Sequence, residues 1–170
     1  DGDGAVVIPK AMLAEVVGAA RAVARRPLIV KLSPNVTSIK PFAIAAEEAG
    51  ADAVSLVNTF ISLAIDARTR KPRIGAGLGG LSGPAIKPIA LRMVLEAAGA
   101  VKIPVIGIGG VAKGEDAAEY LIAGASAVEV GTATFWDPAS PIRIARELDR
   151  FCRNEGIANV AELVGTLRMP

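Results

Sequence analysis

One ten-residue pattern occurs twice in this chain, and it restricts the possible folds more than any other feature. Ala49-Gly-Ala-Asp-Ala-Val-Ser-Leu-Val-Asn58 returns as Ala123-Gly-Ala-Ser-Ala-Val-Glu-Val-Gly-Thr132. A related apolar run precedes each copy at nearly the same offset, Pro27-Leu-Ile-Val30 and Pro104-Val-Ile-Gly107. Repetition at a fixed spacing marks an architecture built by stacking like units. Each copy joins a Val/Ile-rich run, an Ala-rich stretch of helical period and a second apolar run, which reads as a βαβ pair with parallel strands.

Extending that alternation along the chain predicts strands over Pro27–Ser33, Ala53–Val57, Pro104–Gly107 and Ala127–Val130. Helices are expected over Ala11–Ala24, Thr37–Ala49, Pro84–Ala98, Gly114–Ala123 and Pro138–Asn154. Thr37 is read as an N-cap and Pro84 as a first-turn proline. Gly50, Gly99 and Gly124 stand where a left-handed residue ends a helix. The strands are near-continuous apolar runs, as in sheets covered on both faces. Four βα units are half of the eight that close a (β/α)8 barrel, and 170 residues fall short of the roughly 250 such a barrel uses. The expected fold is therefore α/β, half of a (β/α)8 TIM barrel, as one domain over residues 1–170. The alternative is an open four-stranded parallel sheet; a flavodoxin-like sheet needs a fifth strand that the sequence does not offer.

Composition removes several functional classes. A net charge of +2 and 4% aromatic residues give neither the basic surface nor the stacking platforms of a nucleic-acid binder. No apolar run approaches the roughly 18 residues of a membrane span. The opening Asp1-Gly-Asp-Gly4 has no signal-peptide character, and without an initiator Met the chain is expected to be processed or partial. The single cysteine, Cys152, excludes an internal disulfide and a Cys-rich metal site, in keeping with a cytoplasmic protein. With no histidine, a general base has to come from Lys, Asp, Glu, Tyr or Cys152, or from outside these residues. No metal site is expected.

Val105-Ile-Gly-Ile-Gly-Gly-Val111 runs from a strand through glycines into a helix beginning near Gly114, an arrangement that lets backbone N–H groups approach an anion. Gly131-Thr-Ala-Thr134 follows the next strand and brings a second glycine turn with two hydroxyls to the same end. Loops of consecutive final strands converge on phosphate in (β/α)8 barrels. Lys31 lies within the apolar run Leu28–Ser33. A buried ammonium there requires a partner, either a structural carboxylate such as Asp52 or Glu129 or a bound electron-rich ligand. Asn58 and Thr59 end the second strand, where they either read a planar ligand's carbonyl and N–H edges or close an Asx or ST turn. The segment Phe60–Ser82 is longer than an ordinary connection, and its cations Arg68, Arg70, Lys71 and Arg73 read first as a solvated cluster. Gly79-Gly-Leu-Ser-Gly83 either approaches a ligand or caps the next helix. Cys152, beside Phe151 on an amphipathic helix, reads as a packing residue.

Val30-Lys-Leu-Ser-Pro-Asn35, Val57-Asn-Thr59, Ala64-Ile-Asp66 with Thr69-Arg-Lys-Pro72, Gly79-Gly-Leu-Ser-Gly-Pro-Ala-Ile-Lys-Pro88, Gly107-Ile-Gly-Gly110 and Gly131-Thr-Ala-Thr-Phe135 together resemble the dihydroorotate dehydrogenases, in family order over nearly the whole chain. The Gly-Leu-Ser-Gly-Pro-Ala-Ile-Lys-Pro and Lys-Leu-Ser-Pro-Asn stretches are most similar to the NAD-linked bacterial class. The resemblance implies the C-terminal half of the barrel, strands five to eight, binding FMN. By the same resemblance, Lys31, Val57 and Gly83 line the flavin and Gly109, Gly110, Gly131 and Thr132 hold its phosphate. Asn58 and Thr59 bind the pyrimidine substrate, and the reaction is oxidation of dihydroorotate to orotate in de novo pyrimidine (UMP) biosynthesis.

The family's base is a cysteine in a Ser-Cys-Pro-Asn-type loop, which this resemblance puts just ahead of Asp1, so no catalytic residue is expected among residues 1–170. The implied partners are an electron-transfer subunit carrying FAD and an iron–sulfur cluster, in a homodimer or heterotetramer. Two other readings compete: a different FMN barrel, of the dihydropyrimidine dehydrogenase or IMP dehydrogenase kind, and a non-catalytic half-barrel that binds a phosphate-bearing ligand.

Overall fold

A computed structural model describes residues 9–170; the Asp1-Gly-Asp-Gly4 opening lies outside them. The elements follow in the order α1 (Lys10–Val23), β1 (Ile29–Lys31), α2 (Lys40–Glu48), β2 (Ala53–Leu56), β3 (Phe60–Ser62), β4 (Ile65–Asp66), β5 (Lys71–Pro72), β6 (Gly79–Leu81), α3 (Lys87–Ala98), β7 (Val105–Ile108), α4 (Gly114–Ile122), β8 (Ala127–Glu129) and α5 (Ser140–Asn154). Four strands form one parallel sheet in the order β1-β2-β7-β8, with Ile29 opposite Ala53, Val54 opposite Val105 and Ile106 opposite Ala127. Chain order and sheet order coincide, so the sheet has no switch point of the kind that defines a doubly wound fold.

The helices form a single row, each packed on its sequence neighbour from α1 to α5, with α2, α3 and α4 also against the sheet. Between row and sheet lies the core, in which Val54, Leu56, Val94 and Tyr120 have essentially no exposed surface. Alanines at 43, 46, 90 and 97 let the helices approach closely. Cys152 is buried in a smaller cluster with Ala118, Leu121 and Leu163, which matches its packing assignment. No described helix is long and apolar enough to cross a membrane, and no group of possible metal ligands occurs among the described residues.

Several local expectations change. Thr37 is not an N-cap: α2 starts three residues later from Ile39, with Pro41 in its first turn. Pro84 opens a short 3-10 turn, Pro84–Ile86, and α3 begins only after it. Gly50 and Gly124 have φ of 97° and 110° as expected of helix-ending glycines, but Gly99 has φ −78° and ends α3 in right-handed geometry. The largest difference is the segment expected to be one long loop, Phe60–Ser82. It folds as two antiparallel ribbons, β3 with β6 and β4 with β5. Asp66 fixes the tip of the second by accepting from the N–H groups of Arg68 and Thr69 at 2.9 and 3.0 Å. These bonds hold its carboxyl below the usual range. The four cations of this segment are exposed, as expected of a solvated cluster.

Candidate functional site

The C-terminal ends of β1, β2, β7 and β8 open onto one cavity of about 320 Å³, within the range of small-molecule sites. The nine residues that the resemblance gave to flavin and substrate all line it. Lys31 ends β1; Val57, Asn58 and Thr59 follow β2; Gly83 leads into α3; Gly109 and Gly110 follow β7; Gly131 and Thr132 follow β8. A parallel sheet brings these together because all its strands end on the same side, although the residues lie up to a hundred positions apart.

The glycines divide by role. Gly107, inside β7, makes room for the ring of Tyr120, against which a Cβ would clash. Gly109 and Gly110 form the turn beyond it, with φ of 143° and 73°, conformations that side chains disfavour. The N–H groups of Gly109, Gly110 and Val111 have no protein acceptor among the described residues. Thr132–Phe135 form a 3-10 turn at the exit of β8, and the first N–H groups of any such turn are left over for another acceptor. A Cβ on Gly83 would meet only the Thr132 methyl at 3.6 Å, and one on Gly131 only Ile108 at 3.6 Å. Unpaired donors around open space beside glycine backbone fit a phosphate group.

Lys31 differs from its expected setting. It is exposed, because β1 is an edge strand whose flanking residues alternate between exposed and half-buried. The two carboxylates considered as structural partners are engaged elsewhere. Asp52 accepts from Arg21 at 2.6 Å and from the Leu28 N–H at 2.7 Å, while Glu129 accepts from the Ser55 hydroxyl at 2.8 Å. Lys31 is thus a cation on the cavity wall rather than half of a buried ion pair.

Asn58 and Thr59 are held by main chain and by a residue to which the sequence reading gave no role. The Asn58 N–H donates to the Leu32 carbonyl at 3.1 Å. The Asn35 side chain then spans the exit from β2, its Nδ2 donating to the Thr59 carbonyl at 3.0 Å and its Oδ1 accepting from the Ile61 N–H at 2.9 Å. Asn35 belongs to the Lys-Leu-Ser-Pro-Asn motif, and its place after a proline was the available signal. Phe135, the last residue of the Gly131–Phe135 motif, and Trp136 also line the cavity and are largely exposed; the sequence reading gave neither a role. No Asp, Glu or Cys is among the lining residues.

Fold and site together define a parallel α/β protein with a glycine-lined cavity at the strand ends. The family model for dihydroorotate dehydrogenase matches residues 4–152, and the chain belongs to that family. It is 74% identical over 157 residues to a protein of Solibacter usitatus provisionally named dihydroorotate dehydrogenase A (fumarate), covering 92% of this chain and 52% of that protein. It is 55% identical over 161 residues to the dihydroorotate dehydrogenase B (NAD(+)) catalytic subunit of Geobacter metallireducens, covering 95% and 52%. To the subunit of the same name from Bacteroides thetaiotaomicron it is 51% identical over 155 residues, covering 91% and 51%. The chain therefore spans about half the length of the curated relatives it matches.

Proposed function

We propose that residues 1–170 are the C-terminal half, strands five to eight, of an FMN-binding (β/α)8 barrel that oxidises dihydroorotate to orotate in pyrimidine biosynthesis. The observation that carries this reading is the convergence of all nine motif residues on one cavity, in a chain of the dihydroorotate dehydrogenase family. A sheet in chain order with helices in one row is the local geometry of such a barrel, and β1 and β8 are the edges where the remaining strands would join.

In this reading Gly109, Gly110, Gly131 and Thr132 offer backbone N–H groups and a hydroxyl to the flavin phosphate. Val57 and Gly83 line the ring system, and Lys31 places its ammonium against the electron-rich edge of the isoalloxazine. Asn58 and Thr59 present amide and hydroxyl groups to the pyrimidine, with Asn35 fixing the backbone that carries them. Bound FMN supplies the hydride acceptor; the chain supplies orientation, which is what protein groups contribute to cofactor chemistry. The cavity contains no carboxylate or thiol and Cys152 is buried in a separate cluster, so we place the proton-abstracting base, a cysteine in this family, in the part of the relatives that this chain does not cover.

The electron acceptor is assigned to NAD, through an electron-transfer subunit carrying FAD and an iron–sulfur cluster. This rests on the Gly-Leu-Ser-Gly-Pro-Ala-Ile-Lys-Pro motif and on the catalytic-subunit names of relatives at 51–55% identity. The 74% relative carries the fumarate designation, so the acceptor is the point to measure. The protein expressed from its complete gene should purify with FMN, bleach on anaerobic addition of dihydroorotate and reoxidise with NAD when the partner subunit is supplied. Purification without flavin, or flavin that dihydroorotate does not bleach, overturns the reading; reoxidation by fumarate alone reassigns the acceptor.

A further inference from the structure

The two glycine loops that meet at the cavity are joined beneath it by one carboxylate. Asp116, in the first turn of α4, is 4% exposed. Its Oδ2 accepts from the N–H groups of Ala112 and Lys113 at 2.9 and 3.0 Å, the residues that follow the Gly109–Gly110 turn. Its Oδ1 meets the Lys87 ammonium at 2.6 Å. Lys87 begins α3, four residues after Gly83, and also reaches Glu119 at 2.8 Å. The loops touch directly at this point, since a Cβ built on Gly110 would lie 2.7 Å from the Gly83 carbonyl and 3.0 Å from the Lys87 Cβ. One turn further along α4, the buried Tyr120 hydroxyl donates to the Gly109 carbonyl at 2.6 Å.

The electrostatics keep this joint closed. Burial by itself would raise the Asp116 carboxyl, but the Lys87 ammonium and the two backbone N–H groups outweigh it and hold the acid below its ordinary value. For Lys87 burial acts downward and is outweighed by Asp116 and Glu119, so the ammonium is held above its ordinary value. Tyr120 is pushed upward by burial and then by the nearby carboxylates, and stays a phenol that donates. None of the three side chains lines the cavity.

We propose that Asp116, with Lys87, is a positioning residue for the phosphate cradle: the ion pair fixes the Gly109–Gly110 turn against the start of α3, so that the N–H groups of that turn face the phosphate. The proposal rests on the flavin-phosphate reading of the cavity. It assigns the pair to the phosphate end of the ligand, which makes it separable from a merely structural role. In Asp116→Asn the amide oxygen still caps the Ala112 and Lys113 N–H groups, while its NH2 faces the Lys87 ammonium, donor against donor. Lys87→Met keeps the stem that packs on Gly110 and removes only the charge.

The test uses the protein expressed from its complete gene, stripped of flavin and titrated with FMN and with riboflavin, which lacks the phosphate. Groups that orient the ligands of a bound metal are typically worth about 10–100-fold in affinity, and the Asp116–Lys87 pair orients phosphate donors in the same way. Both variants should therefore weaken FMN by about tenfold or more while leaving riboflavin within about twofold. A variant that weakens both flavins equally, or neither, overturns the proposal and leaves the pair a structural brace. A wild-type protein that binds FMN no better than riboflavin overturns instead the phosphate reading of the cavity. Should Asp116→Asn fail to fold, Lys87→Met, altered at the more exposed end of the pair, carries the same comparison.

Discussion

Replacing Gly110 by valine tests the cradle at its tightest point. Two costs can be worked from the structure. The native φ of 73° is left-handed, where a side chain costs about 1–2 kcal/mol. The new Cβ would also stand 2.7 Å from the Gly83 carbonyl and 3.0 Å from the Pro84 Cα. Both are backbone atoms that cannot swing aside, and overpacking of this kind costs about 1–3 kcal/mol. The sum, roughly 2–5 kcal/mol, is a large part of a typical folding free energy, and at about 2–4 °C per kcal/mol it predicts a fall in melting temperature on the order of 10 °C. Because the strain separates the two loops, bound FMN should be lost below that temperature. Gly131→Ala is the matched control. Its φ is −106° and its Cβ would meet only Ile108 at 3.6 Å, so the melting temperature should hold and only FMN affinity should fall. Differential scanning fluorimetry with flavin absorbance on the purified proteins reads both quantities. A Gly110→Val protein that melts within a degree of wild type with full flavin content refutes the argument at its geometric root.

Lys31→Ala should lower the anaerobic rate of flavin reduction by dihydroorotate on the order of 10²-fold, the scale of losing one preorganised electrostatic group, and unchanged reduction would return the residue to solvent. Asn35→Ala removes three side-chain hydrogen bonds, at a cost of about 1–3 kcal/mol, and should raise the KM for dihydroorotate; an unaltered KM would show that Thr59 needs no such clamp. Asp116 has a folded pKa below its ordinary 3.8, so its pairing contributes stability in full above that value and loses it as pH falls through the folded one. Acid unfolding of Asp116→Asn should accordingly lack the wild type's steepening below that pH, and parallel acid curves for the two proteins would contradict the assignment. Residues 1–170 expressed alone present two unpaired parallel edges, β1 and β8, and should self-associate and show no dihydroorotate-dependent bleaching; light scattering that finds a stable monomer counts against the half-barrel.

Much of the architecture was legible before any coordinates. The repeat at Ala49–Asn58 and Ala123–Thr132 located β2 and β8 to within a residue, because short runs dominated by Ala, Val and Leu stand out between glycines. The four glycine and hydroxyl positions proposed for the phosphate were singled out for a related reason. A backbone that must reach an anion tolerates few residue types, so the chemistry writes itself into composition. The motif order along the chain then gave the family.

What the sequence left open was decided by contacts between segments distant in the chain. Whether Lys31 pairs with Asp52 or Glu129 was unanswerable locally. Arg21 on α1 claims the first and Ser55 on β2 the second, and both arrive only when the sheet forms. The ribbons within Phe60–Ser82 are two to three residues long, too short for a periodicity to register, and exist because antiparallel partners and the Asn35 amide satisfy their backbone groups. Asp116 and Lys87, twenty-nine residues apart, each look like ordinary surface charges near a helix start. Their joint appears only where α3 and α4 lie side by side. Local propensity and repeat thus set the elements and the identity of the loops, whereas the spacing of those loops, on which any grip on a phosphate depends, is a property of the packed tertiary structure.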